Sequence, residues 1–505
     1  MVLSGGDLRR PGYAVALAQL GDQLVWSALA VALSALVIGV AVFAHVINPA
    51  FAALVAFILA ASLAQWLPGM ALIAVLFAAI FQNVFVSLIS PYLLSDSDFN
   101  IARGYSFFIL ASVWLVAFAG YVFRMRGQNQ AFDLIMNVTT GVLVLIGIYF
   151  LIGFIQNPLG SIIYLRNIGS AFMFFQVGLI VLARLPVRPT QALTLIAGTV
   201  ILFGYVEFFF RDEWMALTNG DSFWHLSTKS QRDAGLWDRD AAERGIVVKG
   251  FLDSITIDLF NTPLLGDFKI RIARLLGPSV HAISYSYMIA FFMLFTLFRG
   301  SFLIALLLAP LLVLANAKGA IILLVLVGAS FLVARIFGSK TGLMALAAVL
   351  VIYVLAGIIV GLRIGDFHVL GFMGGVYNFL ENPIGHGIGV GGNLSTNFSE
   401  LKWSDYQAAG RTPIAIESAV GVMLYQMGIA ALAYFGVCIW LAFKVVKLAA
   451  NTGQSLHLAA GFALLTVLVN GIFQEEALFS PSALGLIIAL NGMILGAAIR
   501  TGALR

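Results

Sequence analysis

Charge is scarce in this chain. Only 10% of its 505 residues are Asp, Glu, Lys or Arg, while 61% are hydrophobic. Soluble domains carry roughly 25% charged residues, so this chain has too little polar surface to keep its outside wet. The scarcity excludes an ordinary soluble globule and makes lipid the main solvent. Cysteine is nearly absent as well. The single one, Cys438, lies inside an apolar run, which excludes an intramolecular disulfide and a thiolate metal site. The 6 histidines show no metal-ligand spacing. Strong positive charge is also missing, because a net +5 is spread over short loops. That distribution resembles a set of topology signals and offers no face for nucleic acid. No nucleotide-binding loop, low-complexity tract or internal repeat is visible, and the missing repeat weighs against a duplicated transporter fold. The first residues are polar, with Arg9 and Arg10, and no cleavable leader is expected.

What the chain does have is long apolar runs. A spanning helix needs about 20 apolar residues, because a rise of about 1.5 Å per residue must cross about 30 Å of hydrocarbon. Fourteen stretches qualify: 24–45, 50–66, 69–92, 106–123, 132–155, 161–182, 192–210, 281–298, 301–316, 319–336, 341–361, 416–442, 456–473 and 479–500. Turn residues such as Pro49, Pro68, Gly69, Pro158 and Gly160 separate several of them. The expected fold class is therefore an all-α polytopic membrane protein of about 14 transmembrane helices.

Cytoplasmic loops of such proteins hold the Lys and Arg. With the N-terminus inside, the inner loops carry Arg9/Arg10, Arg124/Arg126, Arg184/Arg188, Arg299, Arg335/Lys340, Lys444/Lys447 and Arg500/Arg505. The turn at Trp66–Gly69 is the one inner loop without base, and the short outer loops are nearly free of it. Two long connections then fall outside. The chain divides into N-terminal helices at 1–210, a first large periplasmic loop at 211–280, central helices at 281–361, a second large periplasmic loop at 362–415, and C-terminal helices at 416–505. The chemistry is expected on the outer face, and a polar, helical-looking stretch occupies 230–249 of the first loop.

Four constellations stand out. Arg271 and Arg274 precede Gly277-Pro278-Ser279-Val280-His281 and, if helical, project from one face three residues apart. Two guanidiniums at a membrane surface suit a diphosphate, although anchoring in lipid headgroups is the plainer explanation. Lys318 sits between two apolar runs and breaks the positive-inside pattern, which favours function over snorkelling. The run Gly385-His386-Gly387-Ile388-Gly389 lets a backbone approach a ligand closely and leaves N–H groups free; a flexible loop explains it equally well. Glu417 stands at the outer mouth of an apolar run. Scarce water would raise its pKa and make it a competent base, while a first-turn Glu also favours the helix dipole. Asp96-Ser97-Asp98 and Asp238-Arg239-Asp240 match a metal-holding Asp-x-Asp pattern, but two-acid matches arise easily by chance.

In this order the pieces resemble the O-antigen polymerase and O-antigen ligase superfamily, membrane-embedded glycosyltransferases of bacteria. The resemblance rests on Arg274-Leu275-Leu276-Gly277 before a helix and on the turn Ala317-Lys318-Gly319, with Lys where the family usually has Arg. It rests further on the loop Asn382-Pro383 to Gly389, and on Glu417-Ser418 followed after nine residues by Gly428. At the last position the family usually has a histidine as its candidate catalytic residue, and this chain departs from it. The match covers roughly 190–500 and leaves the first six helices unconstrained.

The resemblance implies an undecaprenyl-diphosphate-linked oligosaccharide donor, used at the periplasmic face of the inner membrane without nucleotide, metal or other cofactor. Implied partners, besides membrane lipids, are a flippase and a chain-length regulator. Sugar transfer from a diphosphate needs cations for the leaving group and a base for the acceptor hydroxyl. Arg271, Arg274 and Lys318 are the candidates for the first role, with Arg166 near the outer end of its span as a further cation. Glu417 is the candidate base, and His281, His368 or His386 the alternative. Glu475 and Glu476 are placed to balance the cations. The expected function is a polymerase joining lipid-linked repeat units into a cell-surface polysaccharide. A ligase of the same superfamily is the alternative, and a flippase for lipid-linked oligosaccharides the alternative from another class.

Overall fold

The computed structural model describes residues 13–187, 189–233, 250–259, 270–395 and 403–504, with single positions between them. Most of the stretch 230–249, and with it Asp240, lies outside the described residues. In hydrocarbon every backbone polar group must find a partner within the protein, and the helix satisfies them all locally. The apolar runs accordingly become helices: α1 Tyr13–His45, α2 Pro49–Trp66, α3 Pro68–Ile89, α4 Asp96–Ala102, α5 Tyr105–Arg124, α6 Gln130–Phe154, α7 Pro158–Arg184 and α8 Thr190–Phe209. The first long connection holds α9 Arg211–Thr218, α10 Gly220–Asp233 and α11 Phe251–Ile255. Next come α12 Ala282–Leu297, α13 Phe302–Ala315, α14 Lys318–Phe337, α15 Ser339–Ile364, α16 Phe367–Glu381 and α17 Trp403–Ala409. The chain closes with α18 Ala419–Met427, α19 Ile429–Thr452, α20 Ser455–Asn470, α21 Glu476–Phe479 and α22 Leu486–Arg500. Asn48, Asn129 and Asn157 cap the starts of α2, α6 and α7 with their side-chain oxygens.

Among the described residues 11 helices are long and apolar enough to cross a membrane, and α12, α13 and α20 are shorter apolar helices. The chain is an all-α, multi-pass membrane protein. Helices α3 and α7 and the last span are enclosed by protein, whereas α15 is exposed along most of its length. At the α7–α22 seam, Gly178 lets the backbones close in; a Cβ there would lie 2.9 Å from the Ala489 carbonyl oxygen.

Three stretches differ from the sequence expectation. The run 416–442 is two helices, broken at Gly428 with φ +52°. A hydropathy pattern runs unchanged through such a break. The segment 362–415 is more than a loop, since α16 buries Val369, Leu370 and Gly371; the Gly371 position abuts the backbone before α18. Arg271 and Arg274 share no helix either. Arg271–Ala273 is a strand, antiparallel to Thr256–Asp258, and strand residues three apart point to opposite faces.

The glycine-rich loop explains how the break at Gly428 is tolerated. The Pro383 carbonyl accepts from Ile429 N at 2.8 Å, while His386 N and Gly387 N donate to Tyr425 O and Gln426 O at 3.1 and 2.8 Å. The loop thus satisfies backbone groups that an unbroken helix would have paired. On its other side Ile388 N donates to Tyr149 O at 2.9 Å and Asn157 Nδ2 to Gly389 O at 2.9 Å. Gly387 has φ +101°, and a Cβ there would sit 2.6 Å from Gly153 N. Gly387→Ala should therefore lower stability by about 2–4 kcal/mol, combining left-handed strain with overpacking. Gly141→Ala, with open space around the added methyl, should not. Thermal unfolding in detergent would measure both, and equal midpoints would show that the loop yields.

Candidate functional site

At the end of the bundle where α3 finishes and α5, α7 and α12 begin, the helices enclose a cavity of about 360 Å³. One wall is cationic. Arg103, in the turn between α4 and α5, lies over the Phe99 ring at 5.3 Å. Arg166, on α7, donates from Nη1 to the Arg103 carbonyl at 3.1 Å and from Nε to Asn167 Oδ1 at 3.4 Å. Among the described residues neither guanidinium has a carboxylate within ion-pair distance.

The same cavity is also lined by Glu475, Glu476 and His281. Glu475 accepts from Tyr164 Oη at 2.9 Å on one oxygen and from Asn393 Nδ2 at 2.7 Å on the other. The same Asn393 Nδ2 donates to Glu417 Oε1 at 3.1 Å, and Asn393 Oδ1 accepts from Glu417 N at 3.2 Å. One amide therefore joins two carboxylates. Burial, then the nearby Glu417 and Glu476 charges, pushes Glu475 up to about 8. Burial also raises Glu417, opposed by His368, whose Nδ1 lies 3.8 Å from Glu417 Oε2. Glu417 itself sits at φ +57°, an uncommon conformation for a side chain other than glycine. His368 Nδ1, 2.9 Å from its carbonyl, and Asn393 hold it there.

His281 reaches the cavity from a strained turn. Val280 just before it has φ +48°, which a β-branched residue rarely adopts. The turn is pinned by Glu207 of α8, whose carboxylate accepts from Leu276 N at 2.9 Å and Gly277 N at 2.7 Å. Asn83 Nδ2 of α3 adds a bond to the Ser279 carbonyl at 2.6 Å. Enclosure by protein around the cavity lowers the His281 pKa, and the Glu476 charge partly offsets this.

No family model matches the chain, and no curated protein matches it.

Of the residues expected from the sequence, Arg166 and His281 line the cavity. Glu417 stands behind Asn393 and touches the cavity through it. Arg274 points elsewhere, donating from Nε to the Ala315 carbonyl at 2.9 Å; burial lowers its pKa, and Glu476 opposes the shift. Arg271 is solvent-facing, 3.7 Å from Asp258. Lys318 is exposed at the start of α14, outside the cavity lining. His386 stacks on Tyr425 with ring centroids 4.4 Å apart. Gly385, Gly387 and Gly389 approach the protein's own backbone, and their loop delivers Asn393 to the carboxylates. Asp96 and Asp98 begin α4, Asp96 lying 3.8 Å from Lys229.

Three site residues were missed. Arg103 was legible in principle, as a base at the edge of an otherwise base-poor connection. Glu475 reads in the sequence as a counter-charge, although two adjacent acids at the end of an apolar run are costly without a task. Asn393 carries no sequence signal beyond following a glycine run.

Proposed function

We propose that this protein transfers a glycan from an undecaprenyl-diphosphate-linked donor to a lipid-linked acceptor at the periplasmic face of a bacterial inner membrane, polymerising repeat units of a cell-surface polysaccharide. One observation carries the reading. Two guanidiniums that have no carboxylate within ion-pair distance among the described residues line one cavity together with the carboxylates of Glu475 and Glu476 and the imidazole of His281. The cationic wall matches the diphosphate, whose oxygens guanidinium grips bidentately. The carboxylates match the acceptor hydroxyl. The charge bias of the short loops supports an outer position for this cavity, on the side where lipid-linked sugars are joined.

In the proposed step the acceptor oxygen attacks the anomeric carbon of the donor. The bond from that carbon to the diphosphate oxygen breaks, and undecaprenyl diphosphate leaves with the electron pair. Arg103 and Arg166 stabilise the charge developing on it. Glu475, ionised, takes the acceptor proton, and Glu417 tunes it through Asn393. Attack opposite the leaving group inverts the anomeric centre.

The test is incubation of purified protein, in lipid nanodiscs, with lipid-linked repeat units from the source organism. A ladder of chain lengths is expected on a gel. A single product on an added lipid or protein acceptor, with no ladder, would replace polymerisation by ligation. Movement of the donor across vesicle membranes with no new glycosidic bond would overturn transferase chemistry.

A further inference from the structure

A second cavity, of about 340 Å³, lies at the other end of the bundle, between the end of α2, the start of α3 and the last turns of α5 and α7. Its interior is apolar, built from small or branched side chains such as Ala64, Ala117 and Val116. Arg124 and Arg184 stand at its edge. No Asp or Glu lines it, and among the described residues neither arginine has an ion-pair partner. The nearest acid in sequence to Arg124, Asp133, is occupied by Tyr121 Oη and Gly127 N, each at 2.8 Å. Each arginine also closes a helix, where a cation suits the dipole, but that does not account for an apolar cavity with both bases in its lining.

Depth is marked by an aromatic side chain. Trp66, next in sequence to the lining residue Gln65, is 76% exposed, as expected of a tryptophan at the headgroup level. Arg124 and Arg184 close their spanning helices at the same end of the bundle as Trp66, where lipid phosphates are found.

We propose that this cavity is a binding site for an anionic phospholipid, one acyl chain filling the apolar space and the headgroup phosphate held between Arg124 and Arg184. A basic pocket between membrane helices offers an acidic lipid both charge and a dry groove. A zwitterionic lipid brings the same chain, but its own ammonium competes for the phosphate. The site is independent of the transfer cavity, and its test does not involve glycan transfer.

The experiment is native mass spectrometry of the full-length protein in detergent, titrated with phosphatidylglycerol or phosphatidylcholine of identical acyl chains. Phosphatidylglycerol should bind roughly tenfold or more tightly than phosphatidylcholine. The double variant Arg124→Gln/Arg184→Gln should lose that preference while still binding both lipids weakly. Gly120→Leu should weaken both lipids, because a Cβ built at Gly120 meets nothing within 4 Å and the side chain has room to occupy the cavity. A monodisperse chromatographic profile for each variant guards against misfolding. Retained preference in the double variant, or undiminished binding in Gly120→Leu, would overturn the proposal. So would complete competition by inorganic phosphate, which would reduce the site to a simple anion pocket.

Discussion

Glu475→Gln should stop glycan transfer while leaving the donor bound. The glutamine keeps the shape of the carboxylate, and both hydrogen bonds survive the change. Its amide oxygen accepts from Asn393 Nδ2, and its NH2 donates to Tyr164 Oη, which turns to accept. Only the capacity to take a proton is lost. General-base contributions run to about 10²–10⁴-fold, so turnover should fall by at least about 100-fold with no comparable change in donor affinity. The neighbouring carboxylate supplies a second readout. The base must be ionised, so kcat/KM should fall as pH drops through about 8, the value to which burial and the Glu417 and Glu476 charges push Glu475. Glu417→Gln removes one of those negative charges, lowers the pKa of Glu475 and should move that limb to lower pH. A Glu475→Gln protein that builds normal ladders would remove Glu475 from the chemistry and leave Glu476 and His281 as the cavity's remaining candidate bases. An unmoved limb in Glu417→Gln would show that the two carboxylates do not communicate through Asn393.

The cationic wall makes the second large prediction. Arg103→Gln and Arg166→Gln should each slow transfer roughly tenfold to a hundredfold, the equivalent of about 1.5–3 kcal/mol for a charge-assisted hydrogen bond lost in the transition state. Because Arg166 donates to the Arg103 carbonyl, the two act as a unit and the double variant need not show the product of the single effects. Inorganic pyrophosphate should inhibit the wild type in competition with the donor and inhibit either variant less. Arg271→Gln is the contrast. Its side chain is 84% exposed on the strand, where a substitution is usually worth under about 0.5 kcal/mol. Sequence resemblance and cavity geometry part company here. A large loss at Arg271 with none at Arg166 would move the donor site out of the cavity and onto the loop surface.

The contrast at these arginines shows how far the sequence reached into the site. Arg166 and His281 were legible as charged or polar groups stranded near the end of apolar runs. Their partners were not. Arg103 and Arg166 lie 63 positions apart and Asn393 and Glu475 82 apart, and nothing local in either segment announces the other. The glycine loop misled for a related reason. Glycine lets a backbone come close to something, and the sequence does not say to what. Here the neighbours are the turns of α6 and α7 and the broken end of α18. Glu417 is legible as a carboxylate at the mouth of an apolar run, but its place one amide behind the cavity belongs to the packing of α16 against the segment before α18.

The membrane class and the course of the apolar helices were determined by the sequence alone, because lipid acts on each segment separately. A residue's transfer free energy adds along the chain, and about 20 apolar residues in a row have only one way to satisfy their backbone in hydrocarbon. The tertiary structure decided everything that depends on two segments at once. It broke the helix at Gly428 and supplied the loop that repairs it. It brought Arg103 to Arg166, and it set Glu475 and Glu417 on one asparagine. These are pairwise facts about which helix faces which, fixed by close packing and by the need to pair buried polar groups.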